Sequence, residues 1–521
     1  MAKKATKKQK SMEETLWDSA NKLRGTVESS EYKHVVLGLI FLKYAGDKFQ
    51  QRKQELIDDN KQDFIENDAF YTMNNVFFLP EESRWDYVIK NSKQDDVAIK
   101  IDTALHTIEK NNKSLKGALP DNYFSRLNMD VSKLSALLDT INNIDTLKDE
   151  QQDIVGRVYE YFLKKFAIKE GKGKGEFYTP KTIVNLIAEM IEPYKGVIYD
   201  PACGSGGMFV QSMKFIKSHH GNKKDVSIYG QELTSTTYKL GKMNLAIRGI
   251  NANLGAVAND TFHKDQHPDL KADYIMANPP FNLKDWREED ELLDDHRWNG
   301  YAVPPKSNAN YAWILNMVSK LSENGVAGFI LANGALSGGG EEYKIRRKLI
   351  ENDLVEAIII IPRDTFYTTD ISVTLWILNK NKKQRNLEIN KKDKQYRDRE
   401  GEILFMDLRT WGSEYEKKYT ELTKDDIEKV ALNYHNWQQG DFASTYKDVA
   451  EYCYCADFNE IKENNFSLVP SKYIEFVDRD SGIDFDSEMK RIQKDFSVLL
   501  QEEKDSQRQL IDAFKVLGYE L

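Results

Sequence analysis

The sequence predicts an α/β fold: an open sheet of alternating strands and helices, preceded by a helical region and followed by a helical tail. Three observations carry this reading. Apolar runs of strand length recur between Gly196 and Arg409, with helical stretches among them. Two of these runs, Gly196 to Asp200 and Ala272 to Ala277, lead straight into glycine- or proline-rich turns. Outside this region the pattern is helical. At 521 residues and roughly 150 per domain, two to four domains are expected, and the pattern places a helical domain over 1–150, a sheet domain over 151–412 and a C-terminal helical region over 413–521 that is a candidate for subunit contacts.

In chain order, the start Met1-Ala-Lys-Lys-Ala-Thr-Lys-Lys-Gln-Lys10 is basic with no apolar stretch behind it, and reads as a solvated tail rather than a signal peptide. Ser29-Ser30 reads as an N-cap, and residues 31–50 are apolar nearly all round, as in a helix buried in a bundle. Another helix is expected from Asp153 to Leu163. It runs into Lys169-Glu-Gly-Lys-Gly-Lys-Gly175, which reads equally as a flexible connector or as a mobile loop near phosphate. It is not a P-loop, so no ATPase is expected. Phe177-Tyr178-Thr179-Pro180 follows, with Thr179 as N-cap and Pro180 at the first position of a helix to about Ile191.

The strand Gly196–Asp200 then enters Pro201-Ala202-Cys203-Gly204-Ser205-Gly206-Gly207-Met208, which opens a helix to about Lys217. Glycines there let the backbone approach a ligand closely, and the helix N-terminus favours partial negative charge. Phe209 stands where a dinucleotide fingerprint requires its third glycine, which disfavours NAD. Asp200 is placed to hold a ligand ammonium group, and Cys203 reads as packing. The next strand, residues 227–232, ends in Glu232, at a spacing suited to accepting from two ribose hydroxyls. In Ala258-Asn-Asp-Thr-Phe262, Asp260 is a candidate acceptor for an adenine amino group and Phe262 a candidate flank for its ring.

Strand Ala272–Ala277 runs into Asn278-Pro279-Pro280-Phe281. Two prolines end strand pairing, because proline has no N–H to donate. By itself Asn-Pro-Pro also reads as a plain turn. Its chemical reading is specific, however. A nucleobase amine is a poor nucleophile because its lone pair is delocalised into the ring. The side-chain oxygen of Asn278 and the carbonyl of Pro279 can each accept one of its N–H groups and favour a more tetrahedral nitrogen. Phe281 offers a face for an extruded base, worth about 1–3 kcal/mol by analogy with single-strand stacking.

Further strands are expected over 325–332, 354–361, 372–378 and 402–409, with a helix over 309–321, and the loop Phe366-Tyr-Thr-Thr-Asp370 is a candidate to face substrate. The charged stretch 379–402 reads as an exposed excursion, and the sheet is expected to finish after Trp411. His263 and His267, near Asp265 and Asp269, read as a polar surface loop rather than a metal site. In the tail, Phe485, Met489, Ile492, Phe496 and Leu499 form a near-heptad stripe, broken at Glu503 and Ser506 and resumed at Leu510, Ala513 and Leu517. Such a helix packs either on its own domain or on a partner. Three cysteines exclude a disulfide scaffold and suit a reducing cytoplasm. No apolar run reaches the roughly 20 residues of a membrane span. A net charge of −9 leaves nucleic-acid contact to a local patch or a partner.

The ordered series of glycine loop, strand-end acid, Asn-Asp turn and Asn-Pro-Pro-Phe resembles the class I, S-adenosylmethionine-dependent amino-methyltransferases of DNA, gamma group, which methylate adenine N6. With Phe41-Leu-Lys-Tyr44 and Asn465-Phe-Ser-Leu-Val-Pro-Ser-Lys-Tyr473, most of the chain is similar to the modification (M) subunit of type I restriction-modification systems. That resemblance implies a Rossmann-like methyltransferase sheet, S-adenosylmethionine as cofactor and no metal. It implies a cofactor site of Phe177, Tyr178, Thr179, Pro180, Asp200, Ala202, Gly204, Ser205, Gly206, Gly207, Met208, Glu232, Asp260, Phe262 and Asn278. Asn278, Pro279, Pro280 and Phe281 would be catalytic. The implied partners are DNA, a specificity (S) subunit bound by two M subunits, and a motor (R) subunit. RNA or protein-glutamine methyltransferases with similar Asn-Pro-Pro chemistry are the rival family. They usually carry Tyr at the fourth position and lack these helical flanks.

Overall fold

Helices gather first where apolar residues crowd every face. Met12–Asn21 (α1), Ser29–Asp58 (α2), Val97–Asn111 (α3) and Val131–Asn142 (α4) surround a core that includes Val35, Leu39, Phe41, Ile101, Leu105, Leu134 and Leu138. α2 starts at Ser29 and continues to Asp58, so Ser29-Ser30 lies inside the helix rather than capping it, and the helix outruns the apolar stretch by two turns. The computed structural model describes residues 12–21, 29–127, 129–147, 161–162, 164–165, 179–366, 372–389, 392–415, 418–439, 446–477, 484–516 and 518–519. The glycine-rich loop 169–175, together with Phe177 and Tyr178, lies outside them, as does most of the helix expected over 153–163. The chain forms two units, one ending at Ile474 and one beginning at Glu475.

The sheet region follows the alternation expected. Lys181–Ile191 (α5) precedes Gly196–Asp200 (β1), Gly207–Ser218 (α6), Val226–Gly230 (β2), Ser235–Ile247 (α7), Ala252–Asn253 (β3) and Ala272–Ala277 (β4). Asn310–Lys320 (α8), Leu321–Ala332 (β5), Gly340–Glu351 (α9), Val355–Ile360 (β6) and Val373–Asn379 (β7) come next. Arg385–Ile389 (β8) and Lys392–Tyr396 (β9) form a separate antiparallel hairpin. After them come Glu402–Asp407 (β10), a small hairpin of Ser413–Tyr415 (β11) and Tyr419–Glu421 (β12), Lys424–Gln438 (α10) and Cys453–Asp457 (β13).

Nine strands form one sheet in the order β13-β10-β6-β7-β5-β4-β1-β2-β3. Pairing is parallel except that β7 is antiparallel to β5 and β6, and β13 is antiparallel to β10. β1 lies between β2 and β4, so the strand order reverses between β1 and β4, the place where open α/β sheets bind ligands. β6 is buried at every position, as expected of a strand covered on both faces. The helical region packs on this domain directly: Leu240, Met243 and Ile247 of α7 join its core.

Two expectations are corrected here. The sheet does not finish after Trp411, because β13 adds a ninth strand along β10, and Ile427, Val430, Tyr434 and Trp437 of α10 belong to the core on one sheet face. β13 reads Cys-Tyr-Cys-Ala-Asp, too mixed to announce itself. Tyr473 stacks on Phe405 of β10 at 4.2 Å and extends the cover of that edge. Nor is the charged stretch after Asn379 wholly exposed. Arg399 and Glu356 are both 0% exposed and pair at 2.9 Å. Glu356 also accepts from Asn379 Nδ2 at 2.7 Å, Tyr434 Oη at 3.0 Å and Gln438 Nε2 at 3.2 Å. The guanidinium and these hydrogen bonds outweigh the cost of burial and hold the Glu356 carboxyl below its ordinary range. Lys382 is buried likewise, pairing with Asp353 and donating to the carbonyls of Val355 and Glu402.

Breaking such a pair leaves a buried charge alone. Arg399→Met is expected to cost about 3–5 kcal/mol of stability, read from the denaturant midpoint of the purified protein, whereas Arg347→Met, an exposed helical pair with Glu351, should change it by less than about 1 kcal/mol.

Candidate active site

The carboxyl ends of β1, β2 and β4 meet at one edge, and direct hydrogen bonds tie their loops together. After β1, Gly204 and Gly206 adopt φ of +54° and +78°, a region that costs other residues strain. Gly206 leads into α6, and added side chains at Gly204 or Gly207 would meet open space. A Cβ at Gly241 of α7 would instead approach the Gly204 carbonyl at 2.8 Å, so α7 lies hard against the loop. Gly204 N–H donates to Glu232 at 3.0 Å, Cys203 N–H to the Gln231 carbonyl at 2.9 Å, and Gln231 N–H to the Asp200 carbonyl at 3.0 Å. The Asn-Asp turn joins them: Asn259 N–H donates to the Glu232 carbonyl at 2.8 Å, and Thr261 Oγ1 to the Pro201 carbonyl at 2.6 Å.

Charge is concentrated in this pocket. Asp200 is 1% exposed, and its carboxylate accepts from Ala202 N–H at 3.0 Å. Burial, with the negative charge of Glu232 adding to it, pushes its pKa up to about 8 against the single backbone N–H that opposes the shift. The site is therefore poised for a cationic group. Cys203 is buried, and burial pushes its thiol well up, as for a packing residue.

Asp260 accepts from Phe262 N–H at 2.6 Å and caps its own turn. Phe262 lies deeper than expected: it is buried in an aromatic cluster, 4.7 Å from Trp286 and 4.3 Å from Trp313. Arg297 donates to the Thr261 and Phe262 carbonyls and pairs with Asp295, fixing the turn from below. The spacing of Trp286, Arg297 and Trp298 in a long loop carried no signal of this support.

Asn278 leaves β4 beside β1, whose Tyr199 is paired with Ile275. It is buried, its Nδ2 donates to Thr179 Oγ1 at 2.9 Å, and its Oδ1 has no hydrogen-bond partner among the described residues. The expected cap is thus corrected. Pro180 occupies the N-cap position of α5, no side chain caps it, and the Thr179 hydroxyl serves Asn278 instead. Phe281 is buried, edge-on to Phe366 at 6.0 Å. Asn282 closes the turn at φ +52° and exchanges two 2.9 Å hydrogen bonds with Asn310 at the start of α8. Neither Asn282 nor Asn310 was singled out from sequence, although an asparagine just after the diproline, Asn282, suits a left-handed turn. Phe366 was named only as part of a loop that continues into Tyr367 to Asp370, outside the described residues.

The histidine loop differs from expectation. His267 is buried, with Nε2 2.9 Å from the Gly230 carbonyl, and Lys320 pairs with Asp265 beneath it. Among the described residues no three His, Cys, Asp or Glu side chains are grouped to hold a metal, and no helix is long and apolar enough to cross a membrane.

Comparison with known proteins adds to this geometry. Residues 150–481 match the family described as N-6 DNA methylase, and residues 12–144 match a domain described as the HsdM N-terminal domain. The chain is 42% identical over 441 residues to the HindI methylase subunit, a type I restriction enzyme component of Haemophilus influenzae, covering 82% of this chain and 94% of that protein. It is 34% identical over 527 residues to the type I MjaIX methylase subunit of Methanocaldococcus jannaschii, covering 97% and 91%. The solved methyltransferase subunit of a type I restriction-modification system from Streptococcus thermophilus has the same fold, with a TM-score of 0.72 at 23% identity over 89% of this chain and 99% of that one.

A cation that binds beside Asp200 must displace its proton below pH 8. Calorimetric titration with S-adenosylmethionine at pH 7, in two buffers of different ionisation enthalpy, is expected to show proton release from the protein, and Asp200→Asn to abolish it. Affinity should rise with pH toward 8, by up to about tenfold per pH unit for one proton displaced.

Proposed function

Because the chain belongs to the N-6 DNA methylase family, with type I methylase subunits as relatives along nearly its whole length, we infer that the Asn278 site carries out its chemistry on a flipped adenine. The protein is an adenine-N6 DNA methyltransferase that uses S-adenosylmethionine. Its residues fit that cofactor: a glycine loop with open space above Gly204 and Gly207, and a buried acid, Asp200, with no cation beside it among the described residues. We assign Asp200 to the amino-acid end, Glu232 to the ribose and Asp260 to the adenine. Phe177 to Pro180, Ala202, Ser205, Gly206 and Met208 complete the walls. Glu232 then exchanges its bond to Gly204 N–H for hydroxyl donors. Phe262 supports the Asp260 turn from within the core and offers the adenine at most a ring edge.

Bound S-adenosylmethionine supplies an electrophilic methyl group on sulfur. The chain supplies the positioned nucleophile. Asn278 Oδ1 and the Pro279 carbonyl accept the two N–H groups of adenine N6, aim its lone pair and leave Pro280 to stiffen the turn. Phe281 stacks on the extruded base, whose flipping costs a few kcal/mol. Transfer of that methyl to N6 would leave the bonding pair on sulfur as a neutral thioether, and the proton shed by N6 would pass to water from the nitrogen that Asn278 Oδ1 and the Pro279 carbonyl hold. Orientation carries much of the barrier. The observation that carries this reading is the half-satisfied amide of Asn278, its nitrogen engaged and its oxygen buried without a partner among the described residues.

The same reading supplies the partners: DNA, a specificity subunit shared by two of these chains, and a translocating restriction subunit, all in the cytoplasm. The unit from Glu475 supports it. Its helix Phe485–Val516 (α11) has no buried residue, and Phe485, Met489, Ile492, Phe496, Leu499 and Leu510 of the stripe are exposed. We assign this face to helices of the specificity subunit.

Two experiments test the reading. Labelled S-adenosylmethionine and unmodified DNA are expected to give N6-methyladenine only when the specificity subunit is present, and Asn278→Ala to lower the rate about 10²–10³-fold, the scale for one preorganised hydrogen-bonding group. Transfer by the chain alone would place specificity within it. Phe496→Asp with Leu499→Asp should abolish co-purification of the specificity subunit while leaving cofactor binding intact.

A further inference from the structure

We propose that Thr179 is a positioning residue for methyl transfer: its hydroxyl holds the Asn278 amide with the oxygen facing the target amine. This inference rests on the assignment of Asn278 above. An asparagine amide has two ends of nearly equal size and opposite hydrogen-bonding character. Only the oxygen can accept from adenine N6, and a nitrogen turned toward the amine would set donor against donor. The torsion that exchanges the ends is broad and roughly two-fold, so the backbone of β4 does not select between them. The target amine, being a donor, takes the oxygen for itself, and the amide nitrogen then requires an accepting group on its other side; a threonine hydroxyl, able to donate or accept, can meet it there as the acceptor.

Thr179 is that group. It lies 99 residues from Asn278 in sequence, yet its Oγ1 accepts from Asn278 Nδ2 at 2.9 Å. No other hydrogen bond of the Asn278 side chain is present among the described residues, and Oδ1 is buried without a partner. The rest of the turn is held by Asn282 and Asn310, whose reciprocal bonds fix the backbone after Phe281 but do not reach the amide. Thr179 is free for this role because Pro180, not Thr179, occupies the N-cap position of α5. With its oxygen accepting from Asn278, the threonine still has a proton to donate, and α5 and β4 together fix where it stands. The segment assigned to the cofactor pocket thus ends on a residue that grips the catalytic amide, and the two halves of the reaction are assembled through one hydrogen bond.

The test compares Thr179→Val, which keeps the shape and removes the hydroxyl, with Thr179→Ser, which keeps the hydroxyl, each assembled with the specificity subunit. Single-turnover methylation is measured at saturating DNA and cofactor. Cofactor affinity is measured separately, and fluorescence of 2-aminopurine at the target position reports flipping. Thr179→Val is expected to slow the methyl-transfer step about tenfold, the scale of one hydrogen bond, with flipping unchanged and any loss of cofactor affinity overcome at saturation. Thr179→Ser is expected to recover most of the rate. Thr179→Ala serves if the valine variant does not fold, with the same expectation. An unchanged saturated rate, with or without weakened cofactor binding, would leave Thr179 a wall of the cofactor pocket and nothing more, and overturn the proposal. Equal slowing in valine and serine variants would assign the effect to packing and overturn it as well. Full activity in Asn278→Ala would instead sink the assignment of Asn278 itself, which separates the two failures.

Discussion

Parallel hydrogen bonding between β1 and β4, with Ile198 beside Tyr274 and Tyr199 beside Ile275, sends both strands out of the sheet at the same edge. Everything at the site depends on that pairing. It brings the glycine loop after Asp200 and the diproline turn after Ala277 side by side, although more than seventy residues separate them. It also makes the reversal of strand order fall between them, so that helices leave on both sides and the edge stays open to a ligand. An antiparallel pairing would put the two loops at opposite ends of the sheet and divide the chemistry.

Buried polar groups in this protein behave in two ways, and the difference separates structure from function. Gln231 is fully buried and satisfied: it donates to the carbonyls of Asn259 and Lys264 and accepts from Gln266 N–H. Glu356 is surrounded by four donors. These groups staple distant segments, as buried polar groups must when water is excluded. Asp200 and Asn278 Oδ1 are left incompletely satisfied at the strand ends, where a cation and an amine would complete them. Asn316 on α8 is also buried with no partner for either amide atom among the described residues, so burial alone does not mark a site. Position at the sheet's carboxyl edge does.

The support of the site comes from elements with no chemistry of their own. Trp286, Trp298, Trp313 and Arg297 hold the Asn259–Phe262 turn from below, and the Asn282–Asn310 exchange holds the far side of the diproline turn. α7 closes over the glycine loop at Gly241 while its other face joins the core of the helical region. Motion of that region would therefore be felt at the loop, because one helix belongs to both.

The sequence by itself determined the elements whose pattern is local. β4 lies over Ala272–Ala277, β1 over Gly196–Asp200 and α5 over Lys181–Ile191 as expected, because each is a continuous apolar or amphipathic run bounded by proline, glycine or a turn. The series of motifs was legible for the same reason, since residues that shape a loop around a ligand stand close together in the chain. Only the tertiary structure decided the rest. Thr179 reads locally as a helix cap, but Pro180 takes that position and the Thr179 hydroxyl accepts from Asn278 instead. The stretch after Asn379 reads as solvated, but a carboxylate on the fully buried strand β6 needs Arg399. β13 is too mixed in pattern to read as a strand, but β10 offers it an unpaired edge. In each case the deciding partner is far away in sequence, and no local period or propensity records a hydrogen bond that chain folding alone brings within reach.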